Sequence, residues 1–215
     1  MTTNQSEKLD LFRDTARGCV DCRDLRLIHY DKQFGWAYPV FHERTTCPSR
    51  VLVVAEAPNW DDTYDRSKRR LTYDIETDET GNFARELFAS VGLAACDVLF
   101  TNSVLCLPAR QGKKHPVRAT QGRNCLKWLS MAISSCNARV VVTLGGAALR
   151  AVGRVSRHGL TLESSSGKPH VWNNRYLLPL YHPGRLGRVT RPAEQQMADI
   201  QPLKGLLLAG DNGST

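Results

Sequence analysis

The run Arg50-Val51-Leu52-Val53-Val54-Ala55-Glu56-Ala57-Pro58 decides how this chain is read. Its apolar residues follow one another without polar alternation, which describes a strand buried on both faces, as in a parallel sheet. Glu56-Ala57-Pro58 then breaks the strand into a loop. Three similar runs lie downstream. Val98-Leu99-Phe100-Thr101 is followed by Asn102, Arg139 to Leu144 is followed by Gly145-Gly146, and Tyr176 to Tyr181 is broken at His182-Pro183-Gly184. Helical spacing separates them. Phe83, Leu87 and Val91 share one face over Asn82–Val91, residues 123–135 are helical, Gly145-Gly146 opens a short helix ending near Gly153, and a last helix covers 193–208 with an interruption at Pro202. Residues 1–50 read as irregular, 60–80 as polar with Arg66, Lys68, Arg69 and Arg70, 107–120 as a basic loop, and 154–175 as polar and glycine-containing. Strands alternating with helices predict an α/β fold around a mainly parallel sheet. Ligands of such sheets sit at the carboxyl ends of the strands. Glu56, Asn102 and His182 all fall there.

Composition narrows the function classes. With 215 residues, 41% hydrophobic and 23% charged, the chain can bury one sizeable core. It has no run of 18 apolar residues, which argues against a membrane-spanning helix. The start MTTNQSEKLDLF lacks a basic stretch followed by an apolar one, so a cytoplasmic protein with no membrane partner is the expectation. Lys and Arg number 29 against 21 Asp and Glu, a net charge of +8. A sequence pI near 9.3 points to a polyanionic partner, usually nucleic acid, or else to an inert basic surface. There is no internal repeat and no low-complexity linker.

Seven cysteines stand at 19, 22, 47, 96, 106, 125 and 136. An odd number in a chain read as cytosolic argues against a disulfide framework. Cys19-Val20-Asp21-Cys22 brings two thiols together in a polar segment. By itself this C-x-x-C fits zinc, an iron–sulfur cluster, a redox pair or chance, and metal would need two further ligands from elsewhere.

Four short segments occur in one order: Ala55-Glu56-Ala57-Pro58-Asn59, Thr101-Asn102-Ser103-Val104-Leu105-Cys106, Val142-Thr143-Leu144-Gly145 and His182-Pro183-Gly184. Over roughly residues 19 to 208 the chain resembles the uracil-DNA glycosylase superfamily, specifically its iron–sulfur branch, family 4, as a divergent member. The resemblance implies a three-layer α/β/α sandwich forming a single glycosylase domain over 1–215. Residues 1–50 would be a cluster-binding segment, 51–208 the α/β core and 209–215 a flexible tail. It also implies a [4Fe–4S] cluster held by Cys19, Cys22, Cys106 and Cys125, which match the family's four positions. Zinc on the same thiolates is the lesser alternative, because spacing does not separate the two. Cys47, Cys96 and Cys136 match nothing and read as ordinary small or buried residues.

The same resemblance implies roles at the strand ends. Glu56 would lie beside the scissile glycosidic bond, positioning water and stabilising positive charge on an oxocarbenium-like sugar. Asp61 and Asp62 resemble the acidic pair that follows this motif. Asn102 would read the edge of a pyrimidine, since an amide both donates and accepts there. His182 would hydrogen-bond the pyrimidine O2 as charge develops on the departing base. Gly184 to Arg191 resembles the loop that enters the duplex, with Leu186 as the wedge and Arg185, Arg188 and Arg191 on phosphates. Gly145-Gly146 opens a helix whose free amides are a weak phosphate signal. The bland alternatives are a solvated acid at Glu56, a turn-capping Asn102 and a structural His182.

Departures from the family pattern concentrate at the pocket. Its first motif usually carries glycines where this chain has Ala55 and Asn59, so the wall formed with Ala57 is altered. The usual Pro-Phe pair that stacks on the base is missing, leaving Tyr73 or Tyr64 as the candidate ring. The interval between Cys106 and Cys125 is longer than usual and carries Lys113-Lys114-His115. That triplet partly matches a basic insertion through which one branch attaches covalently to DNA; a phosphate-contacting loop is the blander alternative. The expectation is a monomeric, monofunctional DNA glycosylase that flips uracil, or a bulkier C5-modified base such as a phage modified cytosine, and leaves an abasic site in repair or anti-phage defence. The alternative is a non-catalytic or covalently trapping uracil-DNA-binding protein.

Overall fold

Strand β1, Val51–Ala55, is buried at all five positions. In this computed structural model, which describes residues 2–22, 49–58, 79–106, 108 and 116–211, it is the second strand of a five-stranded sheet. β1 pairs in parallel with β2, Val98–Asn102, from Val51 opposite Val98 to Ala55 opposite Asn102. On its other side it pairs in parallel with β3, Val140–Leu144. Strand β5, Arg175–Leu180, adds in parallel to β3. The short β4, His170–Trp172, closes the edge in the antiparallel sense, giving the order β2-β1-β3-β5-β4.

Alternate side chains of a strand point to opposite faces, and both faces are covered. Val51, Val53, Val140, Val142 and Leu178 pack with α2 (Glu79–Ala89), α7 (Ala193–Ile200) and α8 (Pro202–Asp211) through Phe83, Leu87, Ile200 and Leu203. Leu52, Val54, Val141 and Leu177 pack on the other face with α3 (Ala119–Ser135) and α4 (Gly146–Val155) through Leu129, Ile133, Leu149 and Val152. The result is the α/β/α sandwich. Each fully buried aliphatic side chain contributes about 1.5–3 kcal/mol, so an aspartate at Leu52 or Val53 would break the central layer.

Two expectations are corrected. The segment before residue 50 is not wholly irregular, because Thr2–Arg17 forms α1. Its Leu9, Phe12 and Ala16 are buried, at a spacing that puts all three on one helical face; Phe12 and Ala16 pack with Val104, Leu105 and Trp128. The stripe is short and lies among polar residues, which hid its period. The segment 154–175 holds helix α5, Leu162–Ser165, and strand β4. Between β4 and β5 the turn residues Asn173 and Asn174 have φ of 47° and 58°. A two-residue hairpin turn with both φ positive favours asparagine, so the Asn-Asn pair was a readable signal. The segment expected to be a flexible tail from residue 209 is helical as far as Asp211, where α8 ends. No helix among the described residues is long and apolar enough to cross a membrane.

Candidate functional site

Four parallel strands end at the same edge of the sheet, and the backbone ties those ends together. Beyond the last paired residues, the Ser103 N–H donates to the Ala55 carbonyl at 2.8 Å and the Val104 N–H to the Glu56 carbonyl at 2.9 Å. The Ser103 hydroxyl also donates to the Glu56 carbonyl, at 2.7 Å. The Glu56 backbone is thus fixed while its side chain is exposed. Ser103 is a positioning residue that sequence reasoning missed; its place directly after Asn102 was the only clue.

Asn102 ends β2 and is only 4% exposed, yet its side-chain Nδ2 has no hydrogen-bond partner. A buried amide donor without a partner costs about 1–3 kcal/mol. Such a cost is expected where a ligand supplies the missing acceptor.

His182 follows β5 and is exposed. The Gly184 N–H donates to its Nδ1 at 3.0 Å. An imidazole nitrogen that accepts carries no proton, so the neutral ring keeps its proton on Nε2. That tautomer presents Nε2–H as a donor. Small residues press around the ring. A Cβ on Gly184 would lie 2.8 Å from His182 Nδ1, and one on Gly145 would lie 3.5 Å from the His182 Cβ. A Cβ on Gly187 would collide with the His182 carbonyl oxygen. Gly145 also has φ of 90° while its N–H bonds the Leu180 carbonyl at 2.8 Å. Only glycine adopts that conformation without strain.

The segment after His182 is a short helix, α6, Arg185–Thr190, rather than an open loop. Leu186, the expected wedge, is 84% exposed, and Val189 beside it in helical spacing is 76% exposed. Val189 was missed because the pair is visible only once the segment is known to be helical. The arginines divide. Arg185 is exposed. Arg188 reaches Glu79 at 2.9 Å and lies over the Phe83 ring, 5.6 Å from its centroid. Arg191 forms a two-pronged pair with Asp199, Nε to Oδ2 at 2.9 Å and Nη2 to Oδ1 at 2.6 Å. Arg191, expected on a phosphate, thus has its guanidinium engaged by a buried carboxylate.

The four motif cysteines converge from three distant segments. Cys19 and Cys125 share a cluster with Phe12, Ala16 and Trp128, while Cys22 packs against Cys106. Burial pushes the Cys106 thiol above its ordinary range, and Cys125, Cys22 and Cys19 push it further. Burial likewise raises Cys125, to about 11. Two buried thiols raised in this way beside two more are a donor set that a cation would stabilise as thiolates. Among the described residues no group of three or more His, Cys, Asp or Glu side chains that could hold a metal ion is found. Cys136 is buried, as read from sequence, and Cys96 is half-buried.

Ala57 is half-buried beside this edge. Asn59, Asp61, Asp62, Tyr64 and Tyr73, the basic triplet Lys113-Lys114-His115, and Cys47 lie outside the described residues.

The family model described as the uracil DNA glycosylase superfamily matches residues 43–201, well over half of the chain. This protein belongs to the uracil DNA glycosylase superfamily. No curated protein matches it. The matched span contains the ends of β1, β2 and β5 and all of α6, so Glu56, Asn102 and His182 lie within the part that defines the superfamily. Superfamily members are DNA glycosylases, hydrolases of the bond between a base and its sugar.

Proposed function

We propose that this superfamily member is a monofunctional DNA glycosylase that flips a modified pyrimidine into the strand-edge site and hydrolyses its N-glycosidic bond. The observation that carries the reading is Asn102, buried at the carboxyl edge with an unpaired Nδ2. Its amide meets the edge of the flipped base. Extrusion costs a few kcal/mol, which contacts of this kind must offset. His182, with its proton on Nε2, donates to the pyrimidine O2 as the C1′–N bond breaks and the base leaves with the bonding electrons. The exposed Glu56 carboxylate faces the positive charge left on the sugar and orients water. The water oxygen bonds to C1′, and its proton goes to the departing base through solvent. The products are free base and an abasic site. No lysine stands in a matched motif to form a Schiff base. Leu186 and Val189 fill the space the base vacates, and Arg185 meets the backbone.

The four motif cysteines, brought into two adjoining packed groups with Cys106 felt electrostatically by Cys125, Cys22 and Cys19, support a [4Fe–4S] cluster by the family resemblance, with zinc on the same thiolates as the lesser alternative. When bound, a cluster supplies a structural cross-link between the segments carrying Cys19, Cys22, Cys106 and Cys125.

Altered pocket segments support a base enlarged at C5, such as a phage modified cytosine, with uracil as the family default. That places the enzyme in anti-phage defence or base-excision repair, as a cytoplasmic monomer. The test is incubation with duplexes carrying uracil or C5-substituted pyrimidines, with the released base identified by mass spectrometry. Release of a C5-substituted base is expected. Rapid release of uracil alone rejects the wide pocket. Tight binding with no base released, or DNA covalently retained, returns the non-catalytic or trapping alternative.

A further inference from the structure

Helix α3 carries more than the ligand Cys125. Gln121, Asn124, Cys125 and Trp128 stand at i, i+3, i+4 and i+7, the spacing of a single helical face. The two residues flanking Cys125 on this face both reach the C-x-x-C segment. Trp128 Nε1–H donates to Cys19 Sγ at 3.2 Å, and Asn124 Nδ2 donates to Cys22 Sγ at 3.6 Å. The same Nδ2 donates to the Asp21 carbonyl at 3.0 Å. Lys127 pairs with the Asp21 carboxylate at 2.6 Å and lies over the Trp128 ring at 4.8 Å. One turn earlier, Gln121 is 1% exposed and its Nε2 has no partner.

Trp128 is only 8% exposed, so its indole N–H needs an acceptor inside the protein. A neutral thiol is a weak acceptor and a thiolate a strong one. Both bonds therefore favour negative charge on the sulfurs they touch.

We infer that this face of α3 is a hydrogen-bonding wall in which Trp128 and Asn124 act as positioning residues for Cys19 and Cys22 and stabilise negative charge on them. This rests on the proposal that the four cysteines hold an iron–sulfur cluster. Donors to cluster sulfurs favour the reduced, more negative state and raise the reduction potential. Removing them lowers it, while their loss of packing alone would not.

The test uses the full chain, purified anaerobically, as wild type, Trp128→Phe, Asn124→Ala and Arg123→Ala. Phe keeps a ring but no N–H, and Arg123 is an exposed α3 residue with no role in the wall. Iron per chain, the reduction midpoint by mediated titration with EPR, and iron loss to a chelator are measured. The expected result is iron retained in all four, with lower midpoints and several-fold faster iron loss in Trp128→Phe and Asn124→Ala only. Unchanged midpoints and loss rates in both overturn the inference while leaving the cluster in place. If Trp128→Phe emerges without iron, Asn124→Ala decides: a lower midpoint supports the wall and an unchanged one rejects it. A wild-type protein that binds no iron overturns the cluster proposal and the inference together.

Discussion

The two centres of this protein are built in opposite ways. At the strand edge, backbone does the placing: parallel register sets Ala55 opposite Asn102, and carbonyls of Ala55 and Glu56 receive the N–H groups of Ser103 and Val104. At the cysteine centre, side chains do it: Trp128 and Asn124 of α3 reach the sulfurs of Cys19 and Cys22, and Lys127 pairs with Asp21 between them. A site framed by backbone keeps its shape when one side chain is removed. A site framed by side chains does not. Mutations at the first should change chemistry without stability, and at the second stability before chemistry.

The largest effect is expected at the cysteines. Cys106→Ser or Cys125→Ser should abolish the brown colour and iron content and sharply reduce soluble yield, because metal binding at a structural site is itself folding free energy. Absorbance near 400 nm and iron analysis check this. Stoichiometric zinc in colourless wild-type protein would remove the cluster from the comparison. The metal-free protein carries a pH signature as well. Cys125 is raised in the fold from 9.0 to about 11. A raised thiol adds stability that is complete below the unfolded value and lost as pH climbs through the folded one. Urea midpoints of metal-free protein should therefore fall from about pH 9 upward, with about 2–3 kcal/mol lost through Cys125 by pH 11 and a further loss through the more strongly raised Cys106, and with no such fall in iron-loaded protein.

At the strand edge, Asn102→Ala and His182→Ala should each cut excision about 10²- to 10³-fold, about 3–4 kcal/mol of transition-state stabilisation. Their melting temperatures should match wild type, and Asn102→Ala should be level or slightly higher, since it removes an unpaired buried donor. A large drop in melting temperature for either would show that side chains, not backbone, frame this edge too.

The contrast also explains what was legible in the sequence. β1, β2, β3 and β5 announced themselves as apolar runs, and the polar residues ending them gave the edge site directly. Local pattern suffices where backbone does the building. The donors around the sulfurs were not legible, because Trp128 and Asn124 gain meaning only when residues about a hundred positions away arrive beside them. Strand β4 escaped for a different reason: Val171 is 83% exposed and only Trp172 is buried, so this edge strand shows little apolar pattern. The arginines of α6 show the limit of counting charge. Three looked equivalent in sequence, and the fold gives them three different situations.

The Arg191 pair joins the edge site to the helix layer behind it. Asp199 is 8% exposed, receives both prongs of Arg191, and accepts a further bond from the Ser166 hydroxyl at 2.9 Å. Removing one partner of such a pair leaves the other uncompensated. Arg191→Ala should cost about 2–3 kcal/mol, discounted from a fully buried pair because the arginine is about a third exposed. Chemical denaturation measures it. A cost below about 0.5 kcal/mol would mean that α6 is anchored by His182 and its glycines alone.

The smallest effect separates the arginines by salt. Each phosphate contact removed should reduce the magnitude of the log–log salt slope of DNA binding by about one. Arg185 is exposed in the first turn of α6, on the segment that carries Leu186. Arg185→Ala should therefore lower the slope by about one with no change in melting temperature. Arg188 already faces Glu79 across 2.9 Å, and that partner is itself 79% exposed. Its ion pair is weak enough for a phosphate to compete, so Arg188→Ala should lower the slope by less than one. Glu79→Gln, which frees Arg188, should tighten DNA binding modestly. Arg191→Ala should leave the slope unchanged while lowering stability, because Asp199 is buried and holds both prongs. Equal slope changes for all three arginines would mean that both ion pairs open when DNA binds. In that case α6 would be a mobile element, and the rigid backbone frame assigned to the strand edge would end at His182.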